Sequence, residues 1–288
     1  MNPAILQMLS TYNCRTAQDH ENALKEIIQE MALLALWRAK FFEHAAFYGG
    51  SALRILYGLQ RFSEDLDFSL LQADQDFKLA AYLKAIAEEL SSFGFEVSVE
   101  MKSKKVATPI ESAFIKAGTL THLVKIAIPP EIARRVPRTR VMTVKVEVDS
   151  DPPPGFETEV KTLLQPLPFG VLTYRLPDLF AGKLHAILHR GWKTRVKGRD
   201  YFDFVWYVGR GVPCHLSHLE MRLRQSGWWT SKETMSENDL KAALAERFES
   251  LNVDAAREDV VPFLKDLDAT AMWSPGFFTS LLPRLGTV

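Results

Sequence analysis

Cysteine is nearly missing from this chain: Cys14 and Cys214 are the only two in 288 residues. They lack both the clustering of a zinc site and the pairing density of a disulfide scaffold, so neither is expected and a reducing compartment fits best. Long apolar runs are missing too. The longest, 31–37, is closed by Arg38 and Lys40, whereas a bilayer-spanning helix needs about 20 apolar residues. The N-terminus shows no basic segment followed by an apolar run and a small-residue cleavage site. These absences lead us to expect a soluble cytoplasmic protein with no membrane partner. Charge of one sign is also lacking, since 35 Lys and Arg balance 35 Asp and Glu. No global field favours nucleic acid, and any such contact must rest on local clusters.

What is present is ordinary globular composition, 47% hydrophobic and 24% charged, in a length that allows two modest domains or one elaborated domain. Residues 21–43 carry apolar side chains at helical spacing, with Asp19 as a candidate cap. Residues 45–48 read as a short strand, Gly49-Gly50-Ser51 as a turn, and 52–57 as a helix ended by Gly58. A second strand is predicted at 65–70, and a helix at 76–93 stopped by Gly94. Period-two alternation then predicts strands around 95–99, 113–115, 123–128 and 141–148. Asp151-Pro152-Pro153-Pro154-Gly155 is the strongest punctuation, because consecutive prolines can neither donate into a sheet nor continue a helix. It sets the expected boundary between a sheet domain, 1–150, and a mainly helical domain, 151–288. The latter opens with a strand at 169–174, followed by helices near 177–190, 199–209, 214–225, 237–250 and 274–284. The fold class is α+β.

The chemistry concentrates in Tyr48 to Phe68. Gly50 and Ser51 open a helix, so free backbone N–H groups and the positive helix end point at one spot, which suits a triphosphate. Asp65-Leu66-Asp67 follows on a strand, where residues two apart face the same side; both carboxylates point together while Leu66 enters the core. Facing carboxylates repel unless a cation sits between them, and magnesium, a hard cation preferring oxygen, is the natural occupant. A lone D-x-D is usually a solvated pair of acids and a lone Gly-Ser usually a turn. The ordered combination strand, Gly-Ser, helix, D-x-D strand is much rarer, and it is similar to the signature of the polymerase-β nucleotidyltransferase superfamily. Farther on, Lys145, Glu147 and Asp149 share one strand face, and an acid there would serve two-metal phosphoryl transfer. Glu147 and Asp149 both remain candidates, as does a plain exposed charged face.

Past the prolines, Lys183 sits on a predicted helix among Leu179, Ala186 and Ile187. Lys193, Arg195, Lys197 and Arg199 then lead into Asp200 and Asp203, one helical turn apart. Such a patch could neutralise a triphosphate or hold an acceptor's phosphates. Arg134, Arg135, Arg138 and Arg140 form a second basic loop, fit either for an RNA backbone or for solvent.

These residues resemble the AbiEii/AbiGii-type toxin nucleotidyltransferases of bacterial toxin–antitoxin and phage-defence systems. The resemblance rests on Gly49-Gly-Ser-Ala-Leu53, Arg61-Phe-Ser-Glu-Asp-Leu-Asp-Phe68, Lys145-Val-Glu-Val148, Leu179-Phe-Ala-Gly-Lys-Leu-His-Ala186 and Lys197-Gly-Arg-Asp-Tyr-Phe-Asp203. It implies a polymerase-β-type mixed sheet with flanking helices and a helical C-terminal region. It also implies an enzyme that uses magnesium and a nucleoside triphosphate. On that basis Gly50 and Ser51 contact the triphosphate; Asp65, Asp67 and Glu147 serve the metals; Lys183, with Arg199 from the basic run, contacts the nucleotide; and Asp200 completes the catalytic set. The acceptor implied is a tRNA 3′ end, and the partner a cognate antitoxin. Ser63 matches a serine whose phosphorylation silences some members. A small molecule or protein hydroxyl as acceptor, or a silent binding module, are the competing expectations.

Overall fold

The computed structural model describes residues 2–102, 108–190 and 196–288. Helix α1 (Pro3–Ser10) precedes the long α2 (Ala17–Arg38). Helix α2 starts in a reciprocal box: the Thr16 hydroxyl accepts from the Asp19 N–H at 3.1 Å, and the Asp19 carboxylate accepts from the Thr16 N–H at 2.8 Å. The cap is therefore Thr16, and Asp19 is its partner one turn in. The helix stops at Arg38 instead of running to 43, because Lys40 turns left-handed (φ 61°) and Phe41–Glu43 make a single 3-10 turn.

Strand β1 (Ala45–Tyr48), α3 (Gly49–Tyr57) and β2 (Asp65–Leu70) follow, with Gly58 closing α3 at φ 74°. Helix α4 (Ala80–Ser92) begins later than the spacing predicts, since the Asp74 carboxylate takes the Asp76 N–H into a turn. Strands β3 (Val97–Met101) and β4 (Ile110–Gly118) lead to α5 (Thr119–Lys125), α6 (Pro130–Ala133) and β5 (Val141–Asp149). The run 123–128 is thus helix and turn, not strand. The buried residues of α5, Thr119, His122 and Leu123, fall at helical spacing, and the polar alternation of a half-buried strand is missing. His122 locks the turn, its ring bonded to the Gly118 carbonyl at 2.7 Å and accepting the Glu96 N–H at 3.1 Å.

The prolines do not end the sheet. Strands β6 (Thr158–Leu163) and β7 (Phe169–Tyr174) come after them and join it, giving seven strands in the order β3-β4-β5-β2-β1-β7-β6. Strand β7 runs parallel to β1, with Thr173 opposite Phe47 and its hydroxyl donating to the Phe47 carbonyl at 2.8 Å. Strand β5 runs parallel to β2, whereas β1 with β2 and β3 and β5 with β4 are antiparallel. The sheet is mixed and its centre is deeply buried: Ala45, Ala46, Phe47, Leu66, Phe68, Val146 and Val148 are all closed to solvent.

Helices α7 (Leu176–His189), α8 (Gly198–Gly209), α9 (Leu216–Gln225), α10 (Glu237–Glu249), α11 (Val253–Val260) and α12 (Pro275–Leu281) complete the chain. Of these only α11 has no counterpart among the helices that the sequence predicts. The chain falls into two compact units: Met1–Gly58, Phe62–Pro152 and Val160–Thr173 make the first, and Leu59–Arg61, Pro153–Glu159 and Tyr174–Val288 the second.

In the first unit a titratable cluster braces α3 against α2. Arg54 pairs with Glu26 at 2.8 Å, and the Tyr12 hydroxyl donates to Glu26 at 3.0 Å and to Glu30 at 3.4 Å. Burial, and then the adjacent Glu26 carboxylate, push the Glu30 carboxyl up to about 8. A folded-state pKa raised above the unfolded value means that the native state holds a proton the unfolded state releases. Stability from this group is complete below the unfolded value and is lost as pH climbs towards 8. Glu30→Gln is therefore expected to raise the melting temperature at alkaline pH and to change it little at pH 5. A gain of equal size at both pH values would show that Glu30 does not titrate in this window.

Candidate functional site

The first unit gathers its polar groups on one face of the sheet. Tyr48 ends β1 in extended backbone, and Gly49 turns left-handed (φ 81°) to start α3. A Cβ at Gly49 would stand 2.8 Å from Asp67 Oδ2, so the glycine is what lets the helix start sit against that carboxylate. The N–H groups of the first helical turn, those of Gly50 and Ser51 included, have no acceptor within the helix. The buried Ser51 side chain serves another end, its hydroxyl donating to the Asp65 carbonyl and fastening α3 to β2.

Along β2, Asp65 and Asp67 are half-buried while Leu66 is fully covered. Their neighbours across the parallel β5 are Lys145 for Asp65, Glu147 for Asp67 and Asp149 for Ser69. Registered partners share a face, so Glu147 stands level with Asp67. Asp149 lies one step beyond and receives the Asp151 N–H at 3.1 Å, shaping the turn out of β5. Glu147 is engaged by Lys145 at 2.6 Å and by the Ser112 hydroxyl at 3.0 Å. Among the described residues, no group of three or more His, Cys, Asp and Glu side chains is drawn together as a ready metal cage. Ser112 carries no signal in the sequence, because its place beside Glu147 comes only from the β4–β5 register. Ser63 precedes the strand, and strand alternation does not fix its direction; its carbonyl accepts from the Gln29 side chain at 3.1 Å.

The second unit holds a compact ion network. Lys183 on α7 bridges Asp200 at 2.7 Å and Asp203 at 2.8 Å, both on α8. Arg190 reaches the other Asp200 oxygen at 2.7 Å. Arg61 grips Asp203 with a two-pronged fork, at 2.7 and 2.6 Å, and both side chains are buried. Burial works against the Asp200 charge, but Lys183 and Arg190 outweigh it and hold the carboxyl below its usual range. Three cations thus meet two carboxylates, which leaves this network with one positive charge in excess. Gly198 lets α8 start in close contact with α11, since a Cβ there would come within 1.7 Å of the Ala256 carbonyl oxygen. Arg199 lies over the Phe263 ring at 4.2 Å and near Asp259 at 3.9 Å. Lys193 and Arg195 of the basic run lie outside the described residues. In the other basic loop, Arg140 is tied to Glu21 at 2.7 Å and Gln18 at 2.9 Å, while Arg134, Arg135 and Arg138 are exposed.

The family that this chain matches makes it a nucleotidyltransferase. Over residues 32–277 it matches the family described as the nucleotidyl transferase AbiEii toxin of type IV toxin–antitoxin systems. The chain belongs to that family. Comparison with curated proteins gives no match. Among solved structures it is similar to the crystal structure of JHP933 from Helicobacter pylori, at 19% identity over 91% of both chains with a TM-score of 0.49. A second H. pylori structure, provisionally described as a nucleotidyltransferase, shares 19% identity over 90% of this chain and 92% of that one, with a TM-score of 0.43. Among the described residues, no helix is long and apolar enough to cross a membrane.

Proposed function

We propose that this toxin transfers a nucleoside monophosphate from a nucleoside triphosphate to an RNA end, a tRNA 3′ terminus, with magnesium held by Asp65, Asp67 and Glu147. The observation that carries the reading is the side-by-side placing of Asp67 and Glu147 on parallel strands, with Asp65 on the same face. Three acids on one sheet face suit a hard divalent cation, and Gly49 keeps the space beside Asp67 clear of a side chain. Magnesium there would supply charge stabilisation at the phosphates and lower the pKa of the attacking hydroxyl. The chain's own groups do the positioning. The first-turn N–H groups of Gly50 and Ser51 donate to phosphate oxygens, and Ser51 contributes through its backbone, because its hydroxyl already serves the Asp65 carbonyl. In the second unit, Lys183, its ammonium oriented by Asp200, is assigned to phosphate charge on the family resemblance. Arg134, Arg135 and Arg138 are assigned to the acceptor's backbone phosphates, and an antitoxin protein to the control of the enzyme in the cell.

Incubating the protein with each α-labelled triphosphate and a lysate tests the assignment. Label in the tRNA band, lost on ribonuclease treatment, supports it; label in protein or in small molecules only would transfer the acceptor to another class. On the family resemblance, a charge at Ser63 would compete for the same cations. Ser63→Glu is expected to lose transfer while Ser63→Ala keeps most of it. Wild-type transfer by Ser63→Glu would place Ser63 away from the phosphates.

A further inference from the structure

Strand β6 closes one side of the sheet, and among the described residues no strand lies beyond it. An uncovered edge offers a row of backbone donors and acceptors to another chain, and proteins commonly blunt such edges with a lysine. Lys161 stands in the middle of β6, its ammonium 4.9 Å over the Tyr57 ring. The strand reads Thr158-Glu159-Val160-Lys161-Thr162-Leu163, and Glu159 changes what that lysine excludes. When a strand pairs antiparallel with a copy of itself about Val160, Glu159 meets Lys161 of the partner subunit, and Lys161 meets Glu159 of the partner subunit. Thr158 and Thr162 face each other, and the two valines meet at the centre. Centring the pair on Glu159 or on Lys161 would instead set like charges opposite, which destabilises a sheet. The edge is therefore charge-complementary to itself in one register.

The surface beside it is apolar. Val160 is 63% exposed and Leu164 71%. Val160 also borders an open groove of about 600 Å³ with Trp37, Phe42, Gly170 and Leu172. A Cβ on Gly170 would come within 3.1 Å of Val160, so Val160 lies on the groove face, and alternation puts Glu159 and Lys161 on the other. A second copy would cover exposed apolar surface on one face and form two ion pairs on the other.

We propose that the chain forms a two-fold dimer through antiparallel pairing of β6 with β6 of a second copy, centred on Val160. Isologous contacts of this kind are the commonest route to a homodimer. Sedimentation equilibrium of the full chain over a range of micromolar concentrations tests it. Glu159→Lys sets Lys against Lys, and Lys161→Glu sets Glu against Glu. Each is expected to weaken self-association about tenfold or more, as two favourable cross-strand pairs become two unfavourable ones. Mixing the two variants should restore dimers that neither forms alone, and the double variant carrying both reversals should associate like the wild type. Restoration on mixing also shows that both variants are folded. A chain that stays monomeric throughout overturns the proposal. So does a dimer indifferent to both reversals, which would use another surface.

Discussion

Alanine at Asp67 is expected to cut nucleotide transfer by about a thousandfold, corresponding to several kcal/mol of lost charge stabilisation at the phosphates. The fold should not suffer. Asp67 is only half-buried, so truncation opens no sealed cavity. The melting temperature should stay close to the wild-type value, and any upward shift that magnesium and a triphosphate cause in the wild type should shrink. Steady-state transfer and thermal melting of the purified variant separate the outcomes. Wild-type turnover would remove Asp67 from the site, and a large fall in melting temperature would make it a structural residue.

The second large effect falls on stability. Asp203 is fully buried, held by the Arg61 fork and by Lys183. Asparagine there leaves a buried guanidinium without its counter-charge, a change that typically costs about 3–5 kcal/mol. Arg61→Ala should cost a similar amount. Asp200→Asn should be milder in unfolding experiments, because its partner Arg190 is 42% exposed and can turn to water, yet it should still lower transfer by freeing Lys183. Urea denaturation of the three variants checks the order. If Asp203→Asn unfolds with the wild type, the network contributes little to holding the second unit together.

Much of the first unit was legible because its signals are local. The strand at 45–48, the glycine start of α3, Gly58 and the strand at 65–70 each follow from a few residues of sequence. The D-x-D face follows from period-two geometry alone. What was not legible depends on register and return. Glu147 and Asp149 looked equivalent, since both sit on one face of one strand. Only the pairing of β5 with β2 puts Glu147 level with Asp67 and Asp149 beside Ser69. The prolines read as the end of the sheet because they do break the chain locally, but nothing local says that β7 comes back beside β1. Arg199 looked like one more cation in a basic run, and its ring contact is with Phe263, a residue far along the chain. The difference between Asp200 and Asp203 likewise waits on Arg61, 142 positions before Asp203.

The Ser51 hydroxyl, donating to the Asp65 carbonyl, couples two jobs that could have been separate. The helix start that would grip the triphosphate and the strand bearing the aspartates are pinned at one point, so a displacement of either drags the other. Under the proposed function, grip and aim would not be tuned independently: a change that loosened the nucleotide would also misdirect the carboxylates. Variants of this enzyme selected for a different triphosphate should therefore draw their changes from elsewhere in the chain and leave the Ser51 pin alone.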